Sequence, residues 1–167
     1  MNQIVIRAAI LTVSDRSSRG ERPDESGPRL QAFLREQGWE IIGYAIVPDD
    51  IEAICQKIIE WCAHDSPDLI LTTGGTGVSP RDVTPEATQA VIERSLPGIA
   101  EAMRAESLKI TPHGMLSRAT AGIRGRTIVI NLPGSPKGAL ENLKVILPAL
   151  PHAVALLHEA PDAEKGH

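Results

Sequence analysis

The chain has 167 residues, of which 42% are hydrophobic and 23% charged, and its formal net charge at pH 7 is −4. These values fit one soluble globular domain with a sizeable core. The negative charge and the scarcity of aromatic residues disfavour a nucleic-acid partner. No apolar stretch approaches the roughly 20 residues of a membrane span and the N-terminus lacks a signal-peptide pattern, so a cytoplasmic protein with no membrane partner is expected.

The first third of the chain predicts two strands and two helices. Residues 4–13 are apolar and rich in β-branched side chains, which is typical of a strand buried on both faces in a parallel sheet. A second strand is expected over residues 39–47. One helix begins at Gly27, and another, with an apolar stripe at spacings of three and four, is capped by Asp49 or Asp50.

The rest of the chain continues this alternation. Two more strands are expected, over residues 68–73 and 126–131, together with four helices, over residues 84–94, 98–108, 135–147 and a last piece ending near His158. Thr84 is expected to be the N-cap of the first of these helices because a proline and an acid follow it. Residues 159–167 are expected to form a solvated tail.

Strands that alternate with helices predict an α/β fold: a single three-layer α/β/α domain over residues 1–158 with a mostly parallel sheet. In such folds the ligand crevice lies at the carboxyl ends of the strands. The segment 14–26, which follows the first strand, has almost no structural pattern. Loops of that length are either functional or mobile surface segments.

The third predicted strand ends in a glycine-rich turn, Thr72-Thr73-Gly74-Gly75-Thr76-Gly77. Glycines let backbone N–H groups approach phosphate oxygens closely, so the turn predicts a phosphate-bearing ligand. It is not a P-loop, and Pro80 stands where a dinucleotide fingerprint needs its third glycine. The alternative is a tight connection that needs glycine for turn geometry alone.

A second candidate anion site follows the fourth predicted strand at Gly134 and Ser135. With Ser135 as N-cap, the free N–H groups of the next helix and the positive end of its dipole face outward. Lys137 in the first turn opposes that dipole unless an anion is bound there. An exposed lysine that bends away is the alternative.

Asp49 and Asp82 both follow strands, and both are expected to face the crevice. Carboxylates among phosphate-binding loops would repel the ligand unless a cation lay between them. Mg²⁺ suits that position because it takes one or two carboxylates together with substrate phosphates. The alternative, a helix cap or turn acid, is stronger for Asp49 than for Asp82, since Thr84 is better placed to cap.

Other chemistries have little support in the sequence. The five histidines lack metal-ligand spacing, which disfavours zinc. Cys55 and Cys62 lie seven residues apart in a predicted helix, too far for a disulfide, and are expected to be buried thiols. Ser14 and Ser135 lack a nucleophile context and are expected to donate hydrogen bonds to phosphate.

Taken together, the motifs resemble the molybdopterin adenylyltransferase family of molybdenum cofactor synthesis, which includes MogA, MoaB-type proteins and the G domain of gephyrin. The matching stretches are residues 11–16, 24–28, 47–49, 72–88, 103–108, 116–122 and 131–136. The resemblance covers nearly the whole chain. It implies an α/β/α domain, usually a homotrimer, that joins the terminal phosphate of molybdopterin to the AMP part of ATP with release of pyrophosphate.

The resemblance also implies roles for individual residues. Asp49 and Asp82 are the acids that position Mg-ATP and support turnover. The nucleotide is held by Thr73, Gly74, Gly75, Thr76 and Gly77. The pterin and its phosphate are contacted by Ser14, Asp24, Ser26, Gly134, Ser135 and Lys137. A molybdenum-insertion protein is an implied partner.

The alternative from another class is a module that binds the pterin or a nucleotide for a partner and performs no transfer. Related domains occur in molybdenum-insertion proteins and in competence-damage-type nucleotide pyrophosphatases, so the fold alone does not decide activity. Retention of Asp49, Asp82 and the glycine-rich turn favours the enzyme.

Overall fold

A computed structural model describes residues 4–161 and 163–166. The strands of this part of the chain are β1 (Arg7–Val13), β2 (Glu40–Val47), β3 (Leu69–Thr73), β4 (Arg94–Ser95), β5 (Ala121–Arg124) and β6 (Thr127–Leu132). The α-helices are α1 (Asp15–Ser18), α2 (Ser26–Glu36), α3 (Ile51–His64), α4 (Thr84–Val91), α5 (Pro97–Ile110), α6 (Pro136–Ile146) and α7 (Leu150–Leu157). Single 3₁₀ turns cover Pro112–Leu116, Leu147–Ala149 and Ala163–Gly166.

The strands form one sheet in the order β2-β1-β3-β6-β5-β4. The pairs β1–β2, β1–β3 and β3–β6 are parallel, and the edge pairs β5–β6 and β4–β5 are antiparallel. From β1 the chain passes outward to β2 and returns to the other side of β1 as β3. The loops after β1 and β3 therefore diverge, and this switch point is where open α/β sheets bind ligands.

Two apolar cores lie on opposite faces of the sheet. Ile10 of β1 belongs to the core that includes Leu34 of α2 and Leu143 of α6, whereas the adjacent Leu11 packs with Ile54 of α3 on the other face. Consecutive strand residues point to opposite faces, so a continuous apolar run fills both cores at once. The predicted three-layer α/β/α arrangement is confirmed.

The antiparallel edge of the sheet was not expected from the sequence. The helix predicted to reach Arg94 ends at Val91, because the chain turns there and the amide of Glu93 donates to the carbonyl of Ile123 at 2.8 Å. Strands β4 and β5 are only two and four residues long. Such short strands carry no usable periodicity.

Three local expectations also need correction. The segment 14–26 contains the helical turn α1, for which Ser14 is the N-cap and accepts from the amide of Ser17 at 3.1 Å. Thr84 is not an N-cap; it stands inside α4, and its hydroxyl donates to the carbonyl of Gly74 at 2.8 Å. Cys55 and Cys62 are free thiols, as expected, but half-buried rather than buried.

One stretch, Pro136–Leu157, is long and apolar enough to cross a membrane by length and composition alone. The expectation that no stretch approaches that length is therefore wrong. Core helices of soluble proteins pass the same test, and Leu143, Leu150 and Val154 of this stretch are buried in the core. Part of the predicted tail, residues 162 and 167, lies outside the described residues.

Candidate active site

A cleft of about 660 Å³ opens at the carboxyl ends of β1 and β3, as the strand order predicts. The loops after β1, β2, β3 and β6 all contribute to it. Of the residues singled out from the sequence, those lining it are Ser14, Asp24, Ser26, Asp49, Thr73, Gly74, Gly75, Asp82, Gly134 and Ser135. Thr76, Gly77 and Lys137 line an adjacent cavity of about 390 Å³, which Ser135 also borders.

The glycine-rich turn has a backbone that only glycine fits. Gly74 and Gly75 have φ angles of +101° and +69°. A Cβ at Gly74 would stand 2.3 Å from the carbonyl oxygen of Val13, and one at Gly134 would stand 3.2 Å from the Cα of Gly74. The loops after β1, β3 and β6 are therefore in backbone contact at the floor of the cleft.

Side-chain hydroxyls fix this turn from behind. Thr84 donates to the carbonyl of Gly74, and Thr73 donates to the carbonyl of Pro133 at 2.7 Å. The amide of Gly74 donates to Leu132 at 3.2 Å. Within the described residues, no acceptor is found for the amides of Gly75, Thr76 and Gly77. The turn thus offers N–H groups to a ligand from Gly75 onward.

Asp49 is bound to the loop after β1. Its Oδ2 accepts from the amide of Asp15 at 2.8 Å, and its own amide donates to Oδ1 of Asp15 at 3.0 Å. Burial, together with the charges of Asp15 and Asp82, raises the pKa of Asp49 above its ordinary value. A positive charge in the cleft would stabilise this carboxylate.

Asp15 and Arg81 were not among the site residues proposed from the sequence. The guanidinium of Arg81 makes two hydrogen bonds of 3.0 Å to the carboxylate of Asp15. Burial opposes ionisation of Asp15, but these bonds and the amide of Asp49 outweigh it and lower the pKa of Asp15. The position of Asp15 directly after β1 was the available signal, since that is where the cleft opens.

Asp82 lines the cleft and also shapes its own turn. Its Oδ2 accepts from the amide of Ser79 at 3.0 Å. A Cβ at Gly77 would stand 2.9 Å from the same oxygen, so the glycine makes room for the carboxylate. Among residues 4–161 and 163–166, no group of three or more His, Cys, Asp or Glu side chains is arranged to hold a metal ion. The other ligands of a cation here would be substrate oxygens and water.

Asp24 is engaged by its own surroundings. One carboxylate oxygen accepts from Thr12 at 2.7 Å and from the hydroxyl of Tyr44, and the other accepts from the amide of Gly27 at 3.2 Å. Burial, then the hydrogen bond and charge of Asp24, raise the pKa of Tyr44. Asp24 therefore anchors the loop that forms one wall of the cleft.

Of the remaining polar residues near the cleft, Ser26 and Ser135 are hydrogen-bonded to the protein backbone, whereas Lys137 is exposed. Ser26 donates to the carbonyl of Gly134 at 2.7 Å, and Ser135 is the N-cap of α6, as predicted, accepting from Gly138 at 3.1 Å. Lys137 is largely exposed and lies 3.8 Å from Glu141. Its contact with a ligand stays a prediction.

This fold and cleft define an open α/β protein of the class that binds its ligand at a topological switch point of the sheet. The chain belongs to the molybdenum cofactor biosynthesis family whose model, described as a probable molybdopterin binding domain, matches residues 9–152.

Individual relatives agree with that family. A molybdopterin adenylyltransferase of Helicobacter pylori is 44% identical over 91% of this chain and 88% of its own length. Gephyrin of Dictyostelium discoideum is 49% identical over 91% of this chain, which spans only 22% of that longer protein. The crystal structure of the molybdopterin biosynthesis enzyme MoaB from Thermus thermophilus superposes with a TM-score of 0.88 at 48% identity, covering 94% of this chain and 99% of that one.

Proposed function

We propose that this protein is a molybdopterin adenylyltransferase that transfers AMP from ATP to the terminal phosphate of molybdopterin. The observation that carries the proposal is the convergence of Thr73, Gly74 and Gly75 of the glycine-rich turn with the Ser135 helix start, Asp49 and Asp82 on one cleft. The similarity to adenylyltransferases over most of their length supports it.

The reaction joins two polyanions, so it depends on position and charge more than on an acid or base. A phosphate oxygen of the pterin attacks the α-phosphorus of ATP; the new P–O bond forms as the bond to pyrophosphate breaks. The amides from Gly75 to Gly77 suit the nucleotide phosphates. The start of α6 at Ser135 suits the acceptor phosphate. No covalent enzyme intermediate is required.

The carboxylates fit a magnesium ion. Asp49 and Asp82 line the same cleft, and their mutual repulsion contributes to the raised pKa of Asp49. When bound, Mg²⁺ neutralises phosphate charge and supplies Lewis-acid stabilisation. In the proposal both carboxylates hold this ion, and Asp15, paired with Arg81, keeps Asp49 in place.

The other residues are assigned to the nucleotide or to the pterin according to the loop in which they lie. Thr73 and the glycine-rich turn hold the nucleotide; Ser14, Asp24, Ser26, Gly134, Ser135 and Lys137 form the pterin side. The proposed function also includes a cytoplasmic location, a homotrimeric assembly and delivery of the product to a molybdenum-insertion protein. A sedimentation mass of a monomer would contradict the trimer.

The direct test is incubation of the purified protein with molybdopterin, ATP and Mg²⁺, followed by mass analysis for adenylylated pterin and for pyrophosphate. We expect both products in equal amounts. Pterin binding without either product would overturn the transferase and favour the binding module.

A further inference from the structure

Arg118 lies between the 3₁₀ turn Pro112–Leu116 and β5, and it contacts two separate parts of the candidate active site. Its amide donates to the carbonyl of Thr76 at 2.8 Å, and its Nε donates to the carbonyl of Gly77 at 2.7 Å. Its Nη2 donates to the carbonyl of Asp82 at 2.6 Å. The guanidinium also pairs with the carboxylate of Glu86 in the first turn of α4.

These contacts hold the two ends of an exposed segment. Residues 78–81 are exposed, so the segment between Gly77 and Asp82 has little packing of its own. Segments with few buried contacts open locally at low free-energy cost. The planar fork of one guanidinium fixes both ends of this segment relative to each other.

Arg118 is itself held by the protein behind it. Arg104 of α5 donates to the carbonyls of Ala119 at 2.8 Å and Ser117 at 3.4 Å, the two neighbours of Arg118 in the chain. Gln89 of α4 donates to the hydroxyl of Thr120 at 2.7 Å. The backbone that carries Arg118 is thereby fastened to two helices.

Arg118 does not line the 660 Å³ cleft; it borders a shallow depression that is also lined by Glu86 and Gln89 of α4 and Arg104 of α5. It therefore acts through the groups it contacts. We infer that Arg118 is a positioning residue, which sets the free amides of the turn and the carboxylate of Asp82 in register for nucleotidyl transfer. This inference rests on the proposed function.

The variant that tests it is Arg118→Lys, because an ammonium keeps the charge but cannot span the carbonyls of Gly77 and Asp82 as the guanidinium fork does, while the backbone bond to Thr76 is kept. Arg126→Lys is the matched control, since Arg126 is exposed in the β5–β6 turn at the other end of β6. Hydrogen exchange of residues 74–83, the kinetic constants and the Mg²⁺ concentration at half-maximal rate are measured for both variants. Arg118→Gln serves as a second variant if Arg118→Lys does not fold.

We expect Arg118→Lys to speed exchange in residues 74–83 only and to lower kcat by about 10- to 100-fold, the scale of a small misplacement of reacting groups. The KM for molybdopterin should change little, while the Mg²⁺ requirement should rise several-fold because Asp82 is displaced. Loss of folded protein alone would lower kcat without moving the Mg²⁺ requirement.

Unchanged exchange, or faster exchange with an unchanged Mg²⁺ requirement, would overturn the inference. If the wild-type protein forms no adenylylated product, the proposed function fails. The exchange measurement then decides separately whether Arg118 holds the turn and Asp82.

Discussion

Asp15 and Asp49 exchange hydrogen bonds: the amide of each donates to the carboxylate of the other, at 2.8 and 3.0 Å. This pair joins the carboxyl ends of β1 and β2 and keeps two negative charges close together. Arg81 compensates Asp15 directly, whereas Asp49 has a raised pKa. The fold thus holds the Asp49 carboxylate where its ionised form is disfavoured. Such an arrangement is expected at a site that binds a cation.

We predict that Asp49→Asn stabilises the protein in magnesium-free buffer while removing activity. The asparagine oxygen can still accept from the amide of Asp15, but the cost of burying a charge and the repulsion by Asp15 and Asp82 are gone. We expect a gain of about 0.5–1 kcal/mol at pH 7 by urea unfolding, the lower range for charge optimisation. The ordinary pKa of Asp49 is 3.8, and its pKa in the folded protein lies above that value. Between these two pKa values the native state binds more protons than the unfolded state.

The stability that Asp49 contributes in the wild-type protein therefore falls as the pH rises from 3.8 through the higher folded pKa, and the advantage of Asp49→Asn should vanish below pH 3.8. The matched control is Asp50→Asn, which removes the same charge one residue away and keeps an equivalent N-cap. Equal stabilisation by both variants would show a general charge effect and refute the role of the pair.

Gly75→Ala should destabilise the protein and distort the cleft. Gly75 has a φ of +69°, and an added Cβ would stand 2.3 Å from Oγ1 of Thr84 and 3.2 Å from Oδ1 of Asp49. We expect a loss of more than about 2 kcal/mol, since backbone strain and collision add. Gly38→Ala is the control, because its φ is +80° but no atom lies within 4 Å. A loss no greater than that of the control would contradict the collision.

Ser135→Ala separates capping from ligand binding. Ser135 caps α6 at the cleft, and Asp50 caps α3 by the same kind of hydrogen bond to the amide of Ala53 at 2.8 Å. Loss of either cap should cost about 1 kcal/mol. Of Ser135→Ala and the control Asp50→Ala, only Ser135→Ala should weaken molybdopterin binding measured by calorimetry. Equal binding by these two variants would show that Ser135 does not contact the ligand.

The ion pair of Glu86 and Arg118 should make the free energy of unfolding fall at acid pH. The hydrogen bond from Arg118 lowers the pKa of Glu86 below its ordinary 4.5, although burial opposes this. The stabilisation is therefore complete above pH 4.5 and is lost as the pH falls through the folded value. Glu86→Gln should flatten the acid side of the stability profile slightly, as measured by urea midpoints from pH 6 to pH 3. An unchanged acid slope would contradict this contribution.

The sequence sufficed for the layers and for the cleft, because both depend on features that are local in the chain. The apolar run that became β1 predicts a buried parallel strand, and Ser135 before Pro136 predicts the start of α6. Parallel strands bring their carboxyl ends together, so residues far apart in sequence could be grouped without coordinates.

The parts that could not be predicted depend on long-range contacts. Arg81 and Arg118 are single arginines in loops, and nothing local distinguishes them from surface cations. Their partners, Asp15 and the carbonyls of Gly77 and Asp82, lie 36 to 66 positions away in the chain. Thr84 has the pattern of a cap, but a tertiary bond to Gly74 decides its orientation.

In the proposed reaction Asp82 supports nucleotidyl transfer and does more than shape its own turn. The most direct measurement compares product formation by the wild-type protein and by Asp82→Asn, with molybdopterin binding and urea unfolding measured on the same samples. We expect Asp82→Asn to fold, to bind pterin normally and to form adenylylated product at least about 10²-fold more slowly, the scale of losing one electrostatic stabiliser. Near-normal turnover by Asp82→Asn would contradict this role in transfer.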